Sequence, residues 1–161
     1  YKGILYAGLM LTETGPRVLE FNCRFGDPEA QVLLPLLESD LLDVIEACIL
    51  GELRHMPLRW TSGAAATVIK ASEGYPGPYP KGRVIQGLDE ADKIESVRIF
   101  HAGTRVEGED IVSAGGRVIA VTGLGPNLSD ALEKAYSAAS CINFQGAHMR
   151  HDVGQHLRDS P

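Results

Sequence analysis

The fold is decided by Glu20-Phe21-Asn22-Cys23-Arg24-Phe25-Gly26-Asp27-Pro28-Glu29, in which apolar and polar residues alternate as far as Phe25. Successive side chains of a β-strand point to opposite faces of the sheet. We therefore predict a strand from Arg17 to Arg24 with one face in a core, the face of Leu19, Phe21, Cys23 and Phe25. The opposite face then displays a carboxylate, an amide and a guanidinium in one row, which are Glu20, Asn22 and Arg24.

This polar row has a functional and a structural interpretation. Mg²⁺ prefers hard oxygen ligands and usually takes only one or two from the protein, with phosphate oxygens and water around the rest of its shell. Glu20 and the amide oxygen of Asn22 suit that role, and the guanidinium of Arg24 suits phosphate or carboxylate. The row therefore predicts a site for a metal–nucleotide complex and an anionic intermediate. The alternative is an ordinary half-exposed strand whose polar face meets water.

The end of the stretch predicts a turn into a helix. Gly26 permits a sharp turn, Asp27 suits an N-cap, Pro28 suits the first helical position, and Glu29 is favourable near the positive helix end. Capping is thus the structural alternative to substrate binding by Asp27 and Glu29, and the two roles can coexist.

Around this stretch, residues 1–60 predict a hairpin followed by helices. Residues 3–11 form an apolar strand pattern that a Gly-Pro turn joins to the strand above as an antiparallel hairpin. A helix is predicted over residues 28–37, which Pro35 should kink or shorten. A second helix is predicted from Leu41, capped by Ser39 or Asp40 and ended by Gly51. Residues 52–62 predict a linker or boundary loop.

The remainder predicts short strands, turns and one long helix. The strands are expected at residues 64–71, 83–85, 97–102, 111–112 and 115–122, with a polar turn or short helix at 89–93 and a turn-like stretch at 105–110. An apolar stripe predicts a helix over residues 128–142, capped by Asn127 or Ser129. The glycines of Gly123-Leu124-Gly125 imitate a dinucleotide fingerprint, but the third glycine is missing, so we interpret them as a strand-to-helix turn. Residues 155–161 predict a frayed end or the start of a linker.

The segment Ser72–Gly82 holds three prolines and three glycines in eleven residues and is predicted to be a loop. Loops on a rigid scaffold often carry binding groups, and Tyr75, Tyr79 and Lys81 are the candidates here. A proline-stiffened crossover with no binding role is the alternative.

Composition excludes several classes of function. The 161 residues carry a formal charge of −6 and no dense basic stripe, which argues against a nucleic-acid partner. The three cysteines lack metal-type spacing, so we expect free thiols in a reducing compartment. We find no signal-peptide pattern and no apolar run near 18 residues, so we expect a cytoplasmic protein without a membrane partner.

The Glu-x-Asn-x-Arg pattern resembles the metal-binding strand of the ATP-grasp ligases. The longer string EFNCRFGDPEAQVLLPLLESDLL at residues 20–42 is similar to the glycinamide ribonucleotide synthetase (phosphoribosylamine–glycine ligase) family within them. Further similar blocks are YKGILYAGLMLTETGPRVLEFN at 1–22, GYPGPYPKG at 74–82, HAGT at 101–104, GGRVIAVTGLG at 115–125 and FQGAHMRHDVG at 144–154. The resemblance covers nearly the whole chain.

The resemblance implies an α+β architecture in two parts. Residues 1–60 would be the C-terminal portion of an ATP-grasp fold, an antiparallel sheet with helices that includes the metal-binding strand. Residues 61–161 would be the small mixed α/β C-terminal domain of the family. The chain would then be a fragment whose partner is the missing N-terminal part of the same enzyme, and we expect the fragment alone to be inactive.

The resemblance also implies a reaction. The family uses ATP to join glycine to 5-phosphoribosylamine, via glycyl phosphate, giving glycinamide ribonucleotide, ADP and phosphate in de novo purine (IMP) biosynthesis. Glu20 and Asn22 match its ligands for Mg²⁺ or Mn²⁺. We expect Arg24 to act as a catalytic contact to phosphoryl or acyl-phosphate oxygens, and Asp27 and Glu29 to lie on the amine side. Tyr75 and Lys81 are the expected substrate contacts of the later loop.

Two other functions stay open. Another ATP-grasp carboxylate–amine ligase would share Glu20, Asn22 and Arg24, but the RFGDPE extension argues against it. A non-catalytic scaffold module would not need these three side chains. Departures from the family pattern are Glu73, where a small residue is expected, and His151, where Lys is expected.

Overall fold

The chain forms two compact units, residues 1–61 and residues 62–161. The computed structural model describes residues 1–155, so the last residues of the predicted frayed end lie outside the described part. The first unit contains a β-hairpin and short helices, and the second contains a helix-covered antiparallel sheet.

The first unit opens with the predicted hairpin. Strand β1 (Tyr6–Thr12) pairs antiparallel with strand β2 (Gly15–Asn22). Gly15 adopts a φ of +103°, a backbone conformation that glycine reaches without steric cost. The register shifts at Leu19, because Gly8 lies opposite Glu20 while the next residue of β1 lies opposite Val18. Leu19 is therefore the extra residue of a β-bulge, a feature that re-aims the side chains beside it.

The prediction that one face of β2 enters a core is wrong within this unit. Leu19 is 65% exposed, Phe21 is 60% exposed, and Cys23 is also exposed, whereas Phe25 is half-buried. The physical reason is that β1 and β2 form a two-stranded sheet, and among residues 1–155 no third strand pairs with it. The predicted strand therefore forms, but the apolar face of β2 is exposed in the described unit.

The helices of the first unit follow the predicted pattern with shorter bounds. Helix α1 covers only Ala30–Leu33 and passes into a 3₁₀ turn over Leu34–Leu36, which contains Pro35. Helix α2 covers Leu41–Leu50. The Asp40 carboxylate accepts a hydrogen bond from the Leu42 N–H at 2.8 Å, and Gly51 ends the helix with a φ of +80°.

The stretch at residues 52–62, predicted to be a linker or boundary loop, belongs to the first unit as far as residue 61, where the boundary between the two units falls. It contains a 3₁₀ turn, Leu53–His55, and then runs back along residues 36–39. The Thr61 N–H donates to the Leu36 carbonyl at 2.9 Å, and the Glu38 N–H donates to the Arg59 carbonyl at 2.9 Å. These backbone bonds hold the stretch against the first unit.

The second unit is organised around its longest strand. Strands β3 (Ala64–Ala71), β4 (Val97–His101) and β7 (Arg117–Gly125) form an antiparallel sheet in the order β3-β7-β4. Helix α4 (Leu128–Cys141) packs on β3 and β7, and the short helix α3 (Leu88–Asp92) packs on α4. The fully buried core includes Val68, Val118, Ile119, Val121, Leu132 and Ile142. This core confirms the predicted apolar stripe of α4.

Two local predictions in this unit are wrong. The stretch 105–110, expected to be turn-like, forms most of a second hairpin, strands β5 (Thr104–Glu107) and β6 (Asp110–Ser113). The expected strand at residues 83–85 makes only isolated bridges, Val84 with Val112 and, just beyond it, Gln86 with Asn143. The β5–β6 hairpin forms between two short neighbouring segments that carry no clear strand pattern, whereas the bridges of Val84 and Gln86 are to residues distant in sequence.

The two glycines in the last part of β7, Gly123 and Gly125, allow the close packing of helix α4. A side chain at Gly123 would place its Cβ 2.6 Å from the backbone nitrogen of Ala135, so α4 can approach the strand this closely only because glycine stands there. The Asn127 side chain accepts a hydrogen bond from the Asp130 N–H at 2.9 Å. The predicted strand-to-helix turn capped by Asn127 is confirmed.

Candidate functional site: the polar face of the hairpin

One face of the hairpin, where β1 begins and β2 ends, carries Tyr6, Gly8, Glu20 and Asn22. Asn22 lies opposite Tyr6, and Glu20 lies opposite Gly8. Residues directly opposite in an antiparallel pair point to the same side of the sheet. The Asn22 Nδ2 donates a hydrogen bond to the Glu20 Oε1 at 3.1 Å. A Cβ at Gly8 would lie 3.1 Å from the Glu20 Cγ, so the absence of a side chain there leaves room for the stem of Glu20.

The carboxylate of Glu29 is tied to the same face. The Tyr6 hydroxyl donates a hydrogen bond to the Glu29 Oε1 at 3.2 Å. A Cβ at Gly26 would lie 2.7 Å from the Glu29 Cδ, so glycine is required for the carboxylate to lie over the turn. We call Tyr6, Glu20, Asn22 and Glu29 the hairpin-face cluster.

The cluster has a negative electrostatic field. The hydrogen bond to Glu29 raises the pKa of the Tyr6 phenol above its ordinary value. The charge of Glu29, partial burial and the charge of Glu20 raise that pKa further. Apart from burial, each of these causes is a carboxylate close to the phenol. The same carboxylates favour a cation at this face of the hairpin.

The donor set of the cluster fits a magnesium-type ion better than a structural metal. Residues 1–155 contain no group of three or more His, Cys, Asp and Glu side chains arranged to hold a metal. Structural zinc needs such a set, usually four ligands. Mg²⁺ needs only one or two protein oxygens when phosphates and water supply the others. Glu20 and Asn22 lie side by side, with the Asn22 amide nitrogen bonded to the Glu20 carboxylate, and each side chain carries an oxygen of the type that Mg²⁺ prefers.

Arg24 does not continue the row in the way the sequence predicted. β2 ends at Asn22, whose partner Tyr6 is the first residue of β1, so the ladder does not extend to Arg24. The Arg24 Nη1 donates to the Phe25 carbonyl at 2.6 Å, and the side chain is exposed. The structure therefore brings Glu20 and Asn22 together and places Arg24 in the turn that follows them.

The predicted caps also differ. Helix α1 begins at Ala30 with Glu29 at its N-cap, and no side chain caps it. Asp27, expected at the N-cap, accepts a hydrogen bond from the Gln31 Nε2 at 3.1 Å instead. Glu29 reaches back to Tyr6 rather than toward the helix. Capping therefore does not explain either carboxylate.

Tyr75 and Lys81 belong to the second unit, in the loop between β3 and α3. The Tyr75 and Tyr79 rings lie 6.3 Å apart between centroids, and the Lys81 Nζ lies 5.9 Å from the centroid of Tyr79. The Ser72 N–H donates to the Gly116 carbonyl at 2.8 Å, and a Cβ at Gly116 would lie 2.7 Å from the Tyr75 Cε2. The predicted loop is confirmed, and its first tyrosine is anchored against β7.

Sequence reasoning missed Tyr6 and Gly8. Both lie within an apolar strand pattern that carried no sign of a site. The available signal was the hairpin itself, since a strand paired with β2 must place residues opposite Glu20 and Asn22. Which residues these are depends on the register, and the bulge at Leu19 shifts it by one.

Comparison with known proteins defines first the class and then the family. The phosphoribosylglycinamide synthetase ATP-grasp (A) domain model matches residues 1–30, which include the hairpin and the cluster. This part of the chain therefore has the ATP-grasp type of fold. The phosphoribosylglycinamide synthetase C domain model matches residues 65–156, more than half of the chain. The chain belongs to the phosphoribosylglycinamide synthetase family.

Curated relatives and solved structures agree with this assignment. The chain is 52% identical over 159 residues to a phosphoribosylamine–glycine ligase of Nostoc, covering 96% of this chain and 37% of that protein. It is 52% identical over 155 residues to the trifunctional purine biosynthetic protein adenosine-3 of Gallus gallus, covering 96% of this chain and 15% of that protein. The crystal structure of phosphoribosylamine–glycine ligase from Thermotoga maritima superimposes with a TM-score of 0.77 at 34% identity, covering 92% of this chain and 36% of that one.

The chain thus spans between about one seventh and just over one third of the length of these relatives. None of the helices within residues 1–155 is both long and apolar enough to cross a membrane.

Proposed function

We propose that the protein containing this chain joins glycine to 5-phosphoribosylamine with ATP, giving glycinamide ribonucleotide, ADP and phosphate in de novo purine (IMP) biosynthesis. The observation that carries the proposal is the contact of Asn22 with Glu20 on the polar face of the hairpin, in a chain of this family. The similarity to the phosphoribosylamine–glycine ligases of Nostoc and Thermotoga maritima supports it.

The proposed reaction needs charge neutralisation and positioning more than a protein nucleophile. Phosphorylation of the glycine carboxylate gives glycyl phosphate, and the amine of phosphoribosylamine displaces the phosphate. We propose that Glu20 and Asn22 hold the divalent ion, Mg²⁺ or Mn²⁺. When bound there, such an ion would neutralise the charge of the phosphate groups. The residues of the chain then serve to orient the two anions and the amine.

Arg24 is proposed as the contact to the transferring phosphoryl group or the acyl phosphate. Its guanidinium is exposed, and within residues 1–155 it bonds the backbone carbonyl of Phe25 next to it in sequence, so it can turn toward an anion at little cost. Planar guanidinium groups bind phosphate and carboxylate through paired hydrogen bonds. Asp27 and Glu29 are proposed as amine-side contacts, where their negative charge suits the ammonium group of the glycine substrate.

The second unit is proposed to supply Tyr75 and Lys81 as further substrate contacts. The loop that carries them is stiffened by prolines and anchored to β7 through Ser72 and Gly116. In this assignment residues 61–161 are the C-terminal domain of the enzyme and residues 1–60 the end of its ATP-grasp domain. The family model for the C domain supports this division.

The partner of the first unit is proposed to be the N-terminal part of the same enzyme. The apolar face of the hairpin exposes Leu19 and Phe21, and the curated relatives are several-fold longer than this chain. A sheet continued by further strands and covered by helices would bury these side chains. We propose a cytoplasmic enzyme.

The test is release of ADP by the full-length protein with MgATP. We expect release only when glycine and 5-phosphoribosylamine are both present. ADP released with a different pair of carboxylate and amine would indicate another ATP-grasp ligase. A folded protein that releases none with any pair would indicate a non-catalytic module.

A further inference from the structure

We infer that Tyr6 is a positioning residue that acts through Glu29, fixing that carboxylate for the ammonium group of the amino-acid substrate. The inference rests on the proposed function, and it concerns a residue that the sequence pattern gave no reason to select. It is carried by the hydrogen bond from the Tyr6 hydroxyl to the Glu29 Oε1 at 3.2 Å.

Tyr6 is held by the regular part of the hairpin. It is the first residue of β1 and lies opposite Asn22, so its backbone is fixed by the same ladder that fixes the proposed metal strand. Its ring packs beside Gly8, where a Cβ would lie 3.7 Å from the Tyr6 Cε1 and 3.1 Å from the Glu20 Cγ. The Tyr6 ring and the stem of Glu20 thus lie on either side of Gly8, and the position of the Tyr6 hydroxyl is defined.

Glu29, by contrast, stands in the turn after β2 and has three side-chain torsions. Two features limit them. Tyr6 binds one carboxylate oxygen, and Gly26 leaves the space that the carboxylate group occupies on its other side. The half-buried carboxylate is therefore fixed relative to Glu20 and Asn22, although it is attached to a different segment.

A fixed carboxylate binds a cation better than a mobile one, because the ordering cost has already been met in the free protein. The donor is a neutral hydroxyl, so it orients Glu29 and leaves its negative charge for the substrate. Loss of the hydroxyl should therefore weaken binding of the ammonium-bearing substrate while leaving the metal ligands in place.

Tyr6→Phe in the full-length protein removes only the hydroxyl. Tyr1→Phe is the matched control, because the Tyr1 hydroxyl donates to the Ile4 carbonyl three residues away and touches no member of the cluster. We expect Tyr6→Phe to raise the KM for glycine by about tenfold or more, as for a hydrogen bond to a charged group. The KM for MgATP should change by less than about twofold, and Tyr1→Phe should resemble the wild type.

A double-mutant cycle with Glu29→Gln identifies the route of the effect. If Tyr6 acts through Glu29, adding Tyr6→Phe to Glu29→Gln should raise the KM for glycine no further. Additive effects, a parallel rise in the KM for MgATP, or an unchanged Tyr6→Phe enzyme would each overturn the inference while the proposed function stands. A wild-type protein with no glycine-dependent ADP release would overturn both.

Discussion

Asn22 donates a hydrogen bond from Nδ2 to the Oε1 of Glu20 at 3.1 Å, so an amide and a carboxylate two residues apart in β2 lie side by side. Both project from the end of a strand whose partner supplies Gly8 beneath Glu20. Sites on regular elements hold their ligands more closely than sites on loops. The chain therefore holds the two proposed metal ligands next to each other on one strand.

The first prediction concerns these two ligands. In the full-length protein, Glu20→Gln removes the charge and keeps the shape, and Asn22→Ala removes the amide. Each should lower kcat by about 10³-fold or more, because the charge on the transferring phosphoryl group is no longer neutralised. The measurement is steady-state ADP release over a range of Mg²⁺ concentrations, with circular dichroism to verify folding.

Glu13→Gln is the control for this pair. Glu13 lies exposed in the turn of the same hairpin, away from the cluster. Glu13→Gln changes the net charge by the same amount as Glu20→Gln, and its turnover should stay at the wild-type value. Wild-type turnover in both Glu20→Gln and Asn22→Ala would refute the metal assignment.

The second prediction is that the 161-residue chain alone does not turn over. The hairpin-face cluster is proposed to supply metal and amine contacts, but Leu19 and Phe21 on the apolar face of the hairpin are exposed, and the chain spans 37% of its Nostoc relative. We expect no glycine-dependent ADP release from the chain under conditions where the full-length protein is active. Turnover by the purified chain would show that the residues here suffice for the reaction.

Much of the fold could be predicted because its signals are local. The alternation of β2, the Asp40 cap and Gly51 end of α2, and the stripe of α4 each follow from neighbouring residues. The errors arose where the local pattern is weak or where other parts of the structure decide. The β5–β6 hairpin pairs two neighbouring polar segments without a clear apolar alternation, and the exposure of Phe21 depends on what covers the sheet.

The candidate site was predictable only in part for the same reason. Residue type and spacing identified Glu20 and Asn22, since both lie on one face of one strand. The positions of Arg24 and Tyr6 depend on where the ladder ends and on the bulge at Leu19. A β-bulge leaves no clear mark in composition or periodicity, so the contact of Tyr6 with Glu29 could be found only from the structure.

A third prediction tests the anchoring of the loop that carries Tyr75. Gly116→Ala would place a methyl group 2.7 Å from the Tyr75 Cε2 and 3.0 Å from the Tyr79 Cε1. Relief of this overlap requires movement of the rings or of β7, so we expect a loss of about 1–3 kcal/mol in unfolding free energy. The measurement is denaturant unfolding followed by circular dichroism.

The double variant separates this clash from any backbone effect of alanine. In a Tyr75→Ala background the ring that the new methyl group would overlap is absent, so Gly116→Ala should lower the unfolding free energy much less there. An equal cost in both backgrounds would contradict the packing of Tyr75 on Gly116.

A fourth prediction concerns the start of α4. The Asn127 Oδ1 accepts from the Asp130 N–H at 2.9 Å, which satisfies one of the free amide groups of the first helical turn. Asn127→Ala should lower the unfolding free energy by about 1 kcal/mol, because the cap is lost. Asn127→Asp keeps a capping oxygen, so its unfolding free energy should stay close to that of the wild type. Asn143→Ala, at an exposed side chain of the same unit, serves as the control. Equal losses at both asparagines would argue against the cap.

The last prediction follows from Lys70, which is 7% exposed in β3 and whose pKa burial lowers below its ordinary value of 10.5. Between the lowered pKa and 10.5 the unfolded chain binds more protons than the folded one, so stability rises with pH across that window and is reduced below it. Lys70→Met should therefore raise the melting temperature at pH 7 by a few degrees, as expected when a buried charge is replaced by an apolar group. Its melting temperature should also lose the rise toward pH 10 that the wild type shows. Lys93→Met, at an exposed lysine of the same unit, is the control and should change neither the melting temperature at pH 7 nor its rise with pH. If the melting temperature of the wild type rises with pH no more steeply than that of Lys70→Met, the ammonium group of Lys70 is solvated.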